Sequence, residues 1–292
     1  MKTPRTDAVL RRIVGLGARR IELDLDRLPA LLDRLGAPQR RLPPVVHVTG
    51  TNGKGSVIAF LHDMLVAQGL AVQRFVSPYL VRPTEQVLLT DGEVGDAIHA
   101  EALERVVAAN DGAPLPVFEA MTAAAFLCFA EDPADVLLLE CGMGGRLDST
   151  NVAEGIVVSV VTPVSLDHVG FLGPDIASIA REKAGIFRPG VPVVANPQDS
   201  DAIAVMQQHA ADVGAPFLLA ARDWLVDRKT GVYRGAGRFV LPRPGLTGEH
   251  QWYNAALAVR TLEVMATRLD RVAAPDERQI AALADTHVNA RL

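Results

Sequence analysis

A glycine-rich turn set between a strand-like run and a helix-like one constrains this chain more than any other feature. Val45-Val46-His47-Val48 is short, rich in β-branched residues and preceded by the breaking pair Pro43-Pro44. Gly50-Thr51-Asn52-Gly53-Lys54-Gly55-Ser56 follows, and from Ser56 to Gln68 apolar residues recur at helical spacing until Gly69. A strand entering a helix through such a turn lets backbone N–H groups converge on phosphate oxygens, backed by the partial positive charge of the helix N-terminus. Lys54 is placed to neutralise β- and γ-phosphate charge, and Thr51 and Ser56 bring hydroxyls within reach of phosphate or Mg2+. The common pattern G-x-x-x-x-G-K-[ST] is not met, because Gly55 separates Lys54 from Ser56 and Gly50 lies only three positions before Gly53.

The same alternation continues down the chain. Leu28, Leu31, Leu32 and Leu35 predict a short helix before the first strand. Beyond the turn, strands are expected at Ala71 to Val76, Val136 to Glu140, Ile156 to Val161, Val191 to Ala195 and Phe217 to Ala220. Helices are expected at His99 to Ala109, Phe118 to Ala130, Ile176 to Ala184 and Ala202 to Val213. Strands alternating with helices imply an α/β fold with a doubly wound, mainly parallel sheet of the P-loop NTPase kind. Val136-Leu137-Leu138-Leu139 lacks polar alternation, as a strand covered on both faces does. After Arg222 come a glycine-broken β region, Val232 to Leu241, and two helical stretches, Gln251 to Arg268 and Asp276 to Ala284. No second core is evident, so residues 1–292 are read as one ATP-binding domain with a short helical lead-in.

Bulk properties narrow the function classes. The net charge of −5 argues against a general polyanion-binding face, so a phosphate site should be local and nucleic acid is not an expected partner. No uncharged apolar run approaches a membrane span and the N-terminus lacks an apolar signal core, so neither membrane insertion nor export is expected. Cys128 and Cys141 are the only cysteines, too few for a disulfide framework and without zinc-site spacing; a reducing cytoplasm fits.

Several side chains carry candidate chemistry. Glu140 ends the most hydrophobic strand and is followed by Gly142, Gly144 and Gly145, which places its carboxylate at the C-terminal sheet edge, where open α/β sheets bind ligands. A carboxylate beside nucleotide phosphates is a natural Mg2+ ligand. Asp167-His168 follows the next strand at the same edge. Lys183 lies near a helix C-terminus, where a cation is favourable to the helix dipole in any protein. Phe118, at a helix start, suits either the core or a stacking surface.

Longer strings resemble one family. His47 to Ser56, with glycine directly after the lysine, is similar to the phosphate loop of the folylpolyglutamate/dihydrofolate synthases of the Mur ligase superfamily, whose peptidoglycan-building relatives usually carry Thr or Ser at the position of Gly55. Glu140-Cys141-Gly142-Met143-Gly144-Gly145-Arg146-Leu147-Asp148-Ser149-Thr150-Asn151 resembles that family's E-x-G-x-G-G-R-x-D-x-T-N signature over its whole length. Leu166-Asp167-His168, Ala180 to Ile186, Ser77-Pro78-Tyr79-Leu80 and Gly248 to Ala256 resemble further family segments, so the likeness runs from about Ile21 to Asn254.

The resemblance implies a Mur ligase central domain binding ATP and Mg2+. It implies metal ligation by Ser56, Ser77, Glu140, His168 and a carbamylated Lys183, with Lys54, Lys183 and His168 as catalytic groups. It also implies nucleotide contacts from Asn254 and Arg291, and a pterin-bearing substrate against Ser77, Pro78 and Phe118. The implied partners are dihydropteroate or a folate and L-glutamate, ligated through an acyl phosphate by a cytoplasmic monomer. Departures exist: Tyr79 stands where histidine is usual, Pro116 where threonine is common, and Val288-Asn289-Ala290 differ from the family residues preceding its arginine. Nothing in the sequence matches the family's D-G-A-H-N-P segment, so the C-terminal glutamate-ligase domain is expected to be absent. The alternatives are a peptidoglycan-type Mur ligase, disfavoured by Gly55 and Ser77-Pro78, and a nucleotide-binding module without ligase activity.

Overall fold

The structure is a computed structural model that describes residues 4–16 and 25–287. In chain order the regular elements are α1 (Arg5–Gly15), α2 (Arg27–Arg34), β1 (Val45–Thr49), α3 (Lys54–Ala67), β2 (Val72–Phe75), β3 (Val87–Leu89), β4 (Gly92–Glu93), α4 (Asp96–Asn110) and α5 (Val117–Glu131). There follow β5 (Val136–Glu140), β6 (Ile156–Val161), α6 (Val169–Leu172), α7 (Ile176–Ala184), β7 (Val193–Ala195), α8 (Ser200–Val213) and β8 (Phe217–Leu219). The described chain ends with β9 (Leu225–Val226), β10 (Val232–Arg234), β11 (Arg238–Val240), α9 (Gln251–Ala266) and α10 (Glu277–Asp285).

Eight strands form the central sheet in the order β4-β3-β2-β5-β1-β6-β7-β8. The six from β2 to β8 pair in parallel, and β3 and β4 add an antiparallel edge. Strand pleat sorts side chains between the two faces. Val46, Val48, Val136, Leu138, Val158 and Val160 pack with α3, α9 and α10. Val45, Leu137 and Leu139 face α1, α2, α4 and α5 on the other side, while Val161, Val193 and Leu219 face α7 and α8. With both faces covered, the central strands are buried throughout, which is why they read as continuous apolar runs.

The predicted doubly wound sheet is therefore present, and its order fixes where a ligand goes. From β1 the chain moves to β2 and β5 on one side, then crosses to β6, β7 and β8 on the other. The turn after β1 thus lies at the switch point of the winding, at the carboxyl ends of the strands. The β region after Arg222 is a separate three-stranded antiparallel sheet, β11-β10-β9. Glu263 on α9 holds its tip, accepting hydrogen bonds from Tyr233 Oη (2.7 Å), Ala236 N (3.0 Å) and Gly237 N (2.6 Å). No helix among the described residues is long and apolar enough to cross a membrane.

Candidate functional site

The turn after β1 has the backbone of an anion cradle. Gly50 and Gly53 take φ values of 139° and 92°, a region side chains disfavour. A Cβ on Gly50 would overlap Thr162 at the end of β6, so only glycine allows the loop to lie this close to the neighbouring strand. Thr51 N donates to Pro163 O (2.9 Å), and Thr51 Oγ1 is bonded to Ser165, which fixes the loop to the segment after β6. The helix begins at Lys54, so Lys54, Gly55 and Ser56 form its first turn with their N–H groups at the loop.

Two lysines from distant parts of the chain meet at this loop. Lys54 Nζ donates to Gly50 O (3.2 Å) and Thr51 O (3.3 Å) and lies 3.9 Å from Glu140 Oε1. Lys183 Nζ, on the last turn of α7, donates to the same Gly50 carbonyl at 2.8 Å. Lys183 is only 3% exposed, and burial, followed by the charge of Lys54, lowers its pKa to about 8. At neutral pH its uncharged amine is therefore populated to about a tenth, far more than for a lysine in water. Glu140, 1% exposed, accepts from Ser77 N at 3.2 Å, so its carboxylate joins β5 to the loop after β2.

Behind these residues the glycine-rich segment 141–151 is braced by a buried polar chain. Asp148 accepts from Met143 N (2.7 Å), Thr150 N (2.9 Å) and Thr150 Oγ1 (2.5 Å). His47 Nε2 lies 2.9 Å from Thr150 Oγ1 and 3.1 Å from Cys141 Sγ, which joins β1 to this polar chain. Burial, then Arg188, lowers the pKa of His47 to about 3, which keeps the ring neutral. Arg146 is tied to Glu182 through its backbone N–H (2.7 Å) and guanidinium (2.8 Å), so the segment also sets the end of α7 that carries Lys183.

The remaining candidates fall around this centre. Ser56 Oγ accepts from Gln251 Nε2 at 3.3 Å. Asn254 is buried against Gly53, with its amide bonded to Asn196 (3.2 Å) and Gln251 (3.0 Å). His168, half-exposed at the head of α6, has Nε2 3.6 Å from Asp167 Oδ2. Phe118 is half-buried, packed on the Gly142 backbone and 6.1 Å, ring to ring, from Phe75. Pro78, Tyr79 and Leu80 share a cavity of about 330 Å³ with Gly55, His62, Arg74 and Glu85. Arg291 lies outside the described residues. Sequence reasoning gave no role to Gln251, Asn196 or His47; a buried amide or imidazole becomes visible only when its partners, drawn from elements far apart in the chain, are assembled.

The residues present suit a hard cation. Glu140 and Ser56 offer oxygen donors beside the phosphate cradle, the donor type Mg2+ requires. Among the described residues, no group of three or more His, Cys, Asp or Glu gathers as a metal cage, so a cation here would draw on hydroxyls and phosphates as well.

No protein-family model matches the chain. The chain is 36% identical to a dihydrofolate synthase/folylpolyglutamate synthase of Bacillus subtilis (strain 168), over 82% of this chain and 59% of that protein. It is also 36% identical to a folylpolyglutamate synthase of Lacticaseibacillus casei, over 92% of this chain and 66% of that one. It thus spans about three-fifths to two-thirds of these relatives' length. The solved FPGS–AMPPCP–folate complex superposes with a TM-score of 0.88 at 34% identity, covering 98% of this chain and 73% of the other. With phosphate loop, lysine pair and glycine-rich signature in place on a shared fold, the chain belongs to the dihydrofolate synthase/folylpolyglutamate synthase family.

Proposed function

We propose that this chain is the ATP-binding unit of a cytoplasmic, monomeric ligase that joins L-glutamate to dihydropteroate or to a folate. The observation that carries the reading is the convergence of Lys54 and Lys183 on Gly50 O, beside the buried Glu140 carboxylate. Lys54 over a cradle of N–H donors favours the charge that develops on a transferring phosphoryl group, Lys183 and Glu140 stand at its edge as donors for a cation, and phosphoryl transfer relies on such positioning and electrostatics. The substrate carboxylate attacks the γ-phosphorus of ATP, the bond to the β,γ-bridging oxygen breaks, and an acyl phosphate and ADP result. The amine of L-glutamate then attacks the acyl carbon, inorganic phosphate leaves and an amide forms, with no protein nucleophile required.

Within this reading Lys54 leaves the Gly50 and Thr51 carbonyls for the β- and γ-phosphate oxygens. Gly50, Thr51, Asn52, Gly53, Gly55 and Ser56 wrap the phosphates, Asn254 borders the nucleotide at Gly53, and Arg291 is assigned a further nucleotide contact on the family resemblance alone. Ser56, Ser77, Glu140, His168 and Lys183 would hold Mg2+, which supplies positive charge to the phosphate oxygens when bound. Lys183 takes that part as a carbamate: its neutral amine adds to the carbon of CO2 and loses a proton, turning a cation into an anionic oxygen donor. The pKa near 8 supports this step, since only the free amine reacts. The cavity beside Pro78 and Gly55 gives a carboxylate-bearing pterin a path to the γ-phosphate, and Ser77 and Phe118 join Pro78 on the substrate side in this reading.

The test is ADP release by this chain with ATP, L-glutamate and either dihydropteroate or a folate. Release that requires the pterin substrate supports the assignment. Release that requires a UDP-muramoyl substrate, or nucleotide binding with no pterin-dependent ADP, overturns it.

A further inference from the structure

Three buried side-chain amides run head to tail beneath the phosphate loop. Asn196 Nδ2, just beyond β7, donates to Asn254 Oδ1 at 3.2 Å; Asn254 Nδ2 donates to Gln251 Oε1 at 3.0 Å; and Gln251 Nε2 donates to Ser56 Oγ at 3.3 Å. Asn196, Asn254 and Gln251 are 0%, 3% and 7% exposed. Three dipoles in one sense polarise one another, and in a low-dielectric interior the last donor in the row is strengthened. That last donor meets the one hydroxyl in the first turn of α3.

The geometry limits what Ser56 can do. A hydroxyl has one hydrogen and two acceptor sites. With one acceptor site filled by Gln251 from behind, the hydrogen and the remaining lone pair are left for groups on the loop side. The row is also anchored sideways, since Asn254 Oδ1 would lie 2.9 Å from a Cβ on Gly53, so the amides and the loop backbone are packed as one unit. The apolar side of the α3–α9 packing is carried by Ala255, Ala256 and Val259, so the amides at 251 and 254 stand at its loop end.

We propose that Gln251, braced by Asn254 and Asn196, is a positioning residue that fixes the orientation of Ser56 Oγ toward bound nucleotide. The inference rests on the reading of Gly50–Ser56 as a nucleotide-phosphate site. Gln251 touches no reacting atom; its effect passes through Ser56.

A double-mutant cycle on the full chain, with MgADP as the probe and isothermal calorimetry as the readout, tests this. Gln251→Ala and Ser56→Ala should each weaken MgADP binding about three- to tenfold, the range for loss of one hydrogen bond. The double variant should bind no more weakly than Ser56→Ala alone. Multiplying factors in the double variant would overturn the proposal, because a purely structural Gln251 acts independently of Ser56; so would unchanged affinity in Gln251→Ala. Should alanine cost the fold, as circular dichroism would show, Gln251→Met keeps the chain length and carries the same expectations. Wild-type chain that binds no MgADP would instead strike the nucleotide reading, an outcome separate from the other two.

Discussion

At the scale of single residues, the site holds charges that a bound phosphate would pair more fully. Lys54 lies folded back on the Gly50 and Thr51 carbonyls, and a phosphate in the cradle offers it a charged partner instead. Lys54→Ala should reduce ADP affinity more than tenfold in calorimetry and abolish pterin-dependent ADP release, with unfolding little changed. A second residue-scale prediction concerns acid stability. His99 is fully buried on α4 with neither ring nitrogen hydrogen-bonded, and burial, partly offset by Asp96, lowers its pKa to about 4. Between pH 6.5 and 4 the unfolded chain binds a proton there that the folded chain does not, so stability falls as the pH falls through that window, by about 1.4 kcal/mol per unit. His99→Leu should therefore match or exceed the wild type at pH 7, where it removes two unpaired buried nitrogens. At pH 4.5 it should be more stable by about 2–3 kcal/mol in urea titrations, and equal loss of stability in both proteins would refute the assignment.

At the scale of elements, the parts legible in the sequence are those whose burial leaves a simple pattern. β1, β5 and β6 are largely apolar on both faces, α3 and α5 are long, mostly buried apolar runs between glycine or proline stops, and α9 is another such run, so their existence and order follow from the chain. The antiparallel edge β3–β4 was not legible: strands of three and two residues are too short for alternation to register. Nor was α1, whose three arginines hide a stripe of Val9, Leu10 and Ile13, and whose first N–H groups are capped by Asp96 from about 90 positions away. The same distinction holds at the site. Gly50–Ser56 and Glu140 were readable because local spacing carries their chemistry, whereas Gln251 and Asn196 matter through partners on other elements. The β9–β11 sheet supplies a prediction of its own. Glu263 receives Tyr233, Ala236, Gly237 and Arg260 at once, so Glu263→Ala would strand several donors. A loss of about 3 kcal/mol in urea unfolding is expected, since a buried donor left unsatisfied costs about 1–3 kcal/mol. A loss below 1 kcal/mol would mean the tip of this sheet is held by something else.

At the scale of the whole molecule, the phosphate loop ties together parts that pack in different cores. α3 belongs to the core shared with α9 and α10, α7 to the core under β6–β8, and both reach the loop, one through Lys54 and the other through Lys183. Thr49 O and Thr51 N are bonded in turn to Thr162 and Pro163, past the end of β6. Because every core cluster contributes strands to one continuous sheet, the chain should unfold in a single cooperative transition. A ligand that binds the loop then stabilises all of it. MgADP at a hundred times its Kd contributes about 2.7 kcal/mol to the folded state, which for a chain of this size should raise Tm by about 4–5 °C. Calorimetric scanning with and without MgADP reads both expectations at once. Two resolved transitions, only one of them shifted by the nucleotide, would show that the α7–α8 side and the α9–α10 side fold as independent units and that the loop does not couple them. A single shifted transition would place the loop's contacts among the bonds that hold the molecule together.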